Sequence, residues 1–465
     1  MSVATELQTL QTNIGNAYTT IGTKGGTVPA NKNTDNLATA IDSIPSGGSY
    51  DPTDPQSVYD ATRPDDWMVM PTPADNEIYL LYQIPANASG SYYIGHRVQG
   101  TSGTIEFGTT DASGNFTAIP DYTINFSGSS ATDRIAIPVS AFENTTSEGK
   151  KQLICKIKGT GNITTFHVLD YSQSGSMSTS IIHELRGKAT SIASFGLSLG
   201  TVSYSYQYAT NLRYLSLEGT NLLTSARFAC PNLLAILSFD TSHITSTGSM
   251  FSNCYKLISV PELDLSSCTL SNSMFSSCSS LEYCKLKNFN SSTNMSGMFS
   301  GCHSLKTIIG LDGSACTNYS QMFTTCVGLT QLPIIANATS GTTFQRLVDN
   351  ASSMTYIDLS SINFSAATNI NIGTIQVGTM IILGDTFGSS GITQSSLISP
   401  PLFAKVKVRI DKTDAMMPIT SNATAVFGTS NNSSYVYVPD ALYSDYQADA
   451  KWATLGNRLK KISEW

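Results

Sequence analysis

Five cysteines, Cys230, Cys254, Cys278, Cys302 and Cys326, stand 24 residues apart. Three places after each comes a leucine: Leu233, Leu257, Leu281, Leu305 and Leu329. Four places before the last four thiols stand Met250-Phe251, Met274-Phe275, Met298-Phe299 and Met322-Phe323. A fixed period of this length is the signature of a solenoid, in which each unit is one turn of a stack. No unit this small can bury its own apolar face. The Leu and Met-Phe columns must therefore close against the turns above and below.

The period also governs the reading of the nine cysteines. Equivalent positions in adjacent turns stack roughly 5 Å apart, within disulfide range on Cα separation alone. Yet the five thiols share one slot beside an apolar slot, and Asn350 takes its next occurrence at the same step. A small buried thiol fits that place, because free Cys packs as a small hydrophobe. There is no Cys-x-x-Cys and the five histidines are scattered, so neither a metal nor a cofactor is expected. The structural core of the repeat is expected in Cys230, Cys254, Cys278, Cys302, Cys326, Leu257, Leu281, Leu305, Leu329, Phe251, Phe275, Phe299 and Phe323. Replacing Cys278 by Ser should cost roughly 1 to 3 kcal/mol through an unpaired buried hydroxyl.

Further columns follow. Ile236, Val260, Cys284, Ile308, Leu332 and Tyr356 form a second apolar row. Asp240, Asp264, Asn288 and Asp312 form a polar one, expected to bind backbone N–H groups at the bend after each strand. A calcium ladder is the other reading of that row, but it has one acid per turn and no dense Gly-Asp pattern. Each unit thus reads as a turn around Met-Phe, a bend at the Cys, and a short strand. The units become regular at about 212, and the unit at 346 to 353 has lost Cys and Leu. Later strands are expected at Lys405 to Ile410 and Tyr435 to Val438. The tail from Asp440 to Ile462 reads as a helix closing the last turn. Tyr443, Tyr446, Ala450, Leu455, Leu459 and Ile462 form its stripe, with Trp452 at the edge.

Ahead of the solenoid the pattern changes twice. Val3, Leu7, Leu10, Ile14, Ala17 and Ile21 are spaced 4, 3, 4, 3, 4, a heptad seam on one helix. Leu37, Ile41 and Ile44 predict a second short helix, ended by Pro45, Gly47 and Gly48. Strands are predicted at 77–84, 91–98, 103–107, 122–126, 134–139 and 151–158, and a small antiparallel sandwich would close them. Trp67 is assigned to its core. The whole reads as a mixed α/β multi-domain chain. Its parts are a helical attachment or oligomerisation segment (1–48), a β-sandwich (58–172), a leucine-rich-repeat solenoid (176–438) and a C-terminal capping helix (439–465).

Two resemblances add to this. The stretch SMFSSCSSLEYCKLKNFNSSTNMSGMFSGCHSLKTI is similar to BspA-type leucine-rich repeats of bacterial and phage surface proteins. Ser273-Met274-Phe275, Cys278, Leu281 and Asn294-Met295 carry the likeness. Arg227-Phe228 departs from it. The start resembles N-terminal segments of phage tail and baseplate accessory proteins, through Lys24 to Pro29 and Asn36 to Pro45. Together they imply a phage tail, tail-fibre or other virion appendage protein. Attachment would run through the N-terminal segment, with a homo-oligomeric state and a host surface protein or glycan as further partner.

Composition permits that reading. Charged residues are 13% of 465, against about 25% in an ordinary soluble protein. The net charge of -7 offers no basic footprint for nucleic acid. No run of 18 apolar residues exists, and the start has neither a basic region nor an apolar core. The chain is expected to be made in a host cytoplasm and to leave on a particle or by lysis. A bacterial adhesin would need an export signal. A glycan-degrading enzyme would need carboxylates converging over a groove. His183-Glu184 has no His four places on, and Asp60, Asp65 and Asp66 read as capping and solvated groups of a Pro-rich loop. The expected role is therefore non-enzymatic.

Overall fold

The structure, a computed structural model, describes residues 50–127, 131–169, 182–189, 192, 194–196, 211–219, 226–228, 230–375, 378–387, 407–419, 421–427 and 435–465. The two N-terminal helices expected at 3–21 and 35–44 lie outside these residues. What is described is mostly β, with few helices and a β-solenoid of about 9 turns in the C-terminal half.

The loop expected around Asp60 is instead a helix, α1 (Pro55–Thr62). Asp54 caps it by accepting from Gln56 N, and Pro55 sits in its first turn, where no N–H is missed. Beyond it come β1 (Glu77–Pro85), β2 (Ser91–Gly100), β3 (Ser102–Thr110), β4 (Phe116–Ser127), β5 (Ala131–Pro138) and β6 (Lys150–Gly159) at the expected places. Three strands escaped the sequence reading: β7 (Ile163–Leu169), β8 (Ile182–Lys188) and β9 (Ser194–Gly196). One sheet holds β5-β2-β7-β9. The other begins β4-β3-β6-β1-β8 and does not stop there. Alternation decides the packing. Leu153, Cys155 and Ile157 of β6 join the main core, while Ile154 joins a second cluster on the sheet's other face, with Val58, Tyr59, Trp67 and Met68.

The second sheet leads into the solenoid. β8 lies antiparallel to β1 and parallel to β10 (Tyr214–Glu218), which is parallel to β11 (Ala235–Phe239). One 7-stranded sheet, β11-β10-β8-β1-β6-β3-β4, thus joins the front strands to the first turns, and one apolar core runs through both.

Further turns supply β12 (Leu263–Asp264), β13 (Tyr283–Lys287) and β14 (Thr307–Ile309), all parallel. β15 (Thr343–Gln345) and β17 (Asn369–Asn371) pair on another side of the stack. β16 (Tyr356–Asp358), β18 (Met380–Leu383), β19 (Lys407–Ile410) and β20 (Tyr435–Val438) follow in parallel. One unit is a residue longer than the regular ones before it. Asp312 still faces Ala336, but Asn318 faces Thr343 and Gln331 faces Tyr356. The extra residue falls between Ala336 and Thr343. This corrects two sequence assignments. Ile357, not Tyr356, enters the apolar row. The thiol slot passes to Ala351, not Asn350, and the leucine slot to Met354, both buried. The backbone agrees. Phe323 N donates to Leu347 O as Phe299 N does to Met322 O, and Met354 N to Ala351 O as Leu329 N does to Cys326 O.

The tail is not one helix. It breaks into α3 (Tyr443–Ala448), after α2 (Ala423–Phe427), then a 3-10 stretch Trp452–Arg458 interrupted at Gly456 (φ 55). β21 (Leu459–Lys461) then adds to β20. Trp452 is buried, edge-on to Tyr446 at 4.8 Å, so it belongs to the core and not the edge.

Candidate functional site

The expected core residues come together inside the stack. Cys254, Cys278, Cys302 and Cys326 are fully buried, as are Leu257, Leu281 and Leu305, and Cys230 and Leu329 are nearly so. Phe228, Phe251, Phe275, Phe299 and Phe323 form a stack with centroid separations of 5.4, 5.3, 5.5 and 6.1 Å. Three of these pairs lie within 10° of parallel and the Phe251–Phe275 pair is tilted by 23°, as turns held in register require. Four of the thiols have a further contact that size alone did not foretell. Cys254 donates to Phe228 O at 2.8 Å, Cys278 to Phe251 O at 3.1 Å, Cys302 to Phe275 O at 3.1 Å and Cys326 to Phe299 O at 3.0 Å. Burial pushes the Cys254 and Cys326 thiols up to about 12, and those of Cys230, Cys278 and Cys302 well above their usual range. Thiols so buried stay protonated and pack as small hydrophobes with a weak donor.

A second polar column inside the stack was missed. Cys268, Ser292 and Cys316 share a slot, and each donates to the carbonyl two residues on: Leu270, Asn294 and Asn318. The signal was present, since Cys268 and Cys316 are two periods apart.

Outside, the sides of the stack differ in chemistry. On one side Thr269, Thr293, Thr317, Thr342 and Thr368 donate from both N–H and hydroxyl to the threonine carbonyl one turn back. Their Oγ1···O distances are 3.1, 3.1, 3.2, 3.0 and 3.2 Å. On the strand side run ion pairs: Lys306 with Glu282 (2.6 Å), Lys287 with Asp264 (3.8 Å), and Lys285 with Glu262. The Asp/Asn row makes turns, as its spacing implied. Asp240, Asp264 and Asp312 accept from the backbone N of Ser242, Ser266 and Ser314. Asn288 and Asn337 reach back to Asp264 (3.0 Å) and Asp312 (2.9 Å). Burial works against charge on Asp264, but the bonds from Ser266 and Asn288 hold its carboxyl below the usual carboxylate range.

In the front part, two buried polar groups stand out. His96 lies between the sheets, its Nε2 2.7 Å from Tyr82 Oη and its ring near those of Phe107 and Phe166. Burial lowers its pKa to about 3. Glu184 is fully buried and bonded to Arg63, Arg186 and Tyr59. Trp67 is 2% exposed, edge-on to His183. Asp60 accepts from Gln56 and Asp66 from Ser147 N.

The family described as "Mycoplasma protein of unknown function, DUF285" matches residues 223–332 and 269–373. Both stretches lie in the regular turns, so the likeness concerns the repeat and carries no activity. No curated protein matches the sequence.

Proposed function

We propose that this chain is a non-enzymatic structural component of a phage virion, part of a tail, fibre or baseplate appendage. In this reading residues 1–48 attach it to the particle and hold it as a homo-oligomer. The two front sheets form a sandwich. The solenoid is a leucine-rich repeat of BspA type, and the tail caps it. The solenoid projects and presents its polar sides to a host surface protein, a glycan or a neighbouring virion protein.

The observation that carries this reading is how the stack divides its chemistry. Its reactive atoms face inward, protonated and hydrogen-bonded, while rows of Thr hydroxyls and paired charges repeat outward at the turn spacing. Broad polar contact suits such rows better than a reaction does. The resemblance of Lys24 to Pro29 and Asn36 to Pro45 to virion segments supplies the setting. Deleting 1–45 should abolish incorporation into particles while leaving the rest folded. Unchanged incorporation would overturn the proposal.

A further inference from the structure

Residues 50–70 form a strap over the junction between front sheet and solenoid. At one end Met68 and Trp67 cluster with Tyr79, Leu81 and Ile154. Helix α1 packs on β11. At the other end Tyr50 Oη donates to Glu282 at 3.3 Å, beside β13. Apolar contact is non-directional and would tolerate more than one placement of such a strap along the sheet.

Directional bonds distinguish one placement from another. Met68 N donates to Gln152 Oε1 (2.9 Å), Gln152 Nε2 to Asp66 O (3.0 Å), and Thr62 Oγ1 lies 2.9 Å from Tyr214 Oη. The largest group gathers on Glu184 of β8. Its carboxylate takes hydrogen bonds from Arg63 Nε (2.8 Å) and Tyr59 Oη (3.0 Å) of the strap, and from Arg186 Nε (2.8 Å) of its own strand. Arg186 also donates to Tyr59 Oη at 2.5 Å. The Arg63 guanidinium lies over the rings of Tyr59 (5.6 Å) and Trp67 (5.5 Å). Arg213, paired with Glu148, lies 5.1 Å from the Trp67 ring.

We propose that this cluster is a register lock. It fixes the strap at one position on the outer strand face, and so fixes where the chain ahead of Tyr50 joins the fold relative to the solenoid axis. A buried ion cluster adds little net stability, because desolvation offsets attraction. Its directional bonds instead select one arrangement among those that apolar contact permits. The lock stands whether or not the virion reading does, and its test involves no particle.

The test is made on the full chain carrying Tyr50→Cys and Glu282→Cys, treated with a short bismaleimide. The native thiols are all buried, so they give no background. The reference protein should cross-link within itself. Yield should fall about tenfold in Glu184→Gln and in the apolar triple variant Arg63→Leu/Glu184→Leu/Arg186→Leu, with the native thiols still unreactive. The triple variant leaves no charge stranded, so it decides the matter where Glu184→Gln unfolds the chain. Undiminished cross-linking in the triple variant would reduce the cluster to adhesion. Exposure of the native thiols there would make it a support of the whole fold. Either result overturns the register lock.

Discussion

Cysteine at the repeat slot is chosen for a donor as well as for size. Its S–H gives a second hydrogen bond to a phenylalanine carbonyl in the turn before, which already accepts from the backbone N–H of that turn's own cysteine. This changes the expected result at Cys278. A serine there would not be stranded, since Phe251 O stands ready to accept. Cys278→Ala should be the more harmful change, at about 0.5–1.5 kcal/mol for the lost hydrogen bond, since Phe251 O keeps the one from Cys254 N, with Cys278→Ser milder. Denaturant midpoints of the two variants check the order. His96 offers a test by pH. It is neutral when folded, with a pKa of about 3, and near 6.5 when exposed. The unfolded chain therefore binds the extra proton between those values. His96 costs no stability above about pH 6.5, and stability falls as pH drops toward 3, by roughly 5 kcal/mol in all. His96→Gln should flatten the slope of stability against pH between about 4 and 6. Neither His96 nor Glu184 was legible as a network member. Tyr59 and Glu184 are 125 residues apart, and no spacing rule joins them.

At the scale of the element, the turns share a backbone feature that side-chain columns hide. The residue before four of the repeat cysteines is left-handed: Asn253 (φ 67), Ser277 (φ 63), Gly301 (φ 79) and Thr325 (φ 56), then Asn350 (φ 57) before Ala351. Asn and Gly suit this conformation, while β-branched Thr does not. Thr325→Asn should therefore raise stability by about 0.5–1 kcal/mol, read as a higher melting temperature. The same row explains why Asn350 misled the sequence reading. Counting 24 from Cys326 lands on Asn350. The longer unit shifts the frame by one, and Ala351 and Met354 keep volume without keeping identity. Periodicity was legible wherever it was strict. It failed where a surface residue was inserted that disturbs no buried column. The strap helix was illegible for a different reason, because Pro55 at its start reads as loop composition.

For the whole molecule, what matters is that the stacked strands are closed at both ends. At the front, β10 is paired by β8. At the back, the chain adds β21 to β20 and then turns away. Lys461 N donates to Glu464 at 3.1 Å, and Trp465 packs on Tyr437 at 5.0 Å. Removing residues 459–465 should uncover the β20 edge and cause concentration-dependent association, measurable by light scattering. The intact chain should remain free of it. The regular turns between those ends raise a different matter. Thiols and threonine hydroxyls reach backward by one turn, and several backbone N–H groups reach forward by one. Past Glu282, where the strap's Tyr50 makes its contact, the hydrogen bonds of each regular turn run to its neighbours. A gene that gained or lost one 24-residue period there would leave each surviving neighbour pair as it was, and would only lengthen or shorten the rod by about 4.8 Å. Reach is thus a quantity that unequal recombination can adjust in uniform increments, without the protein having to be refolded around a new core.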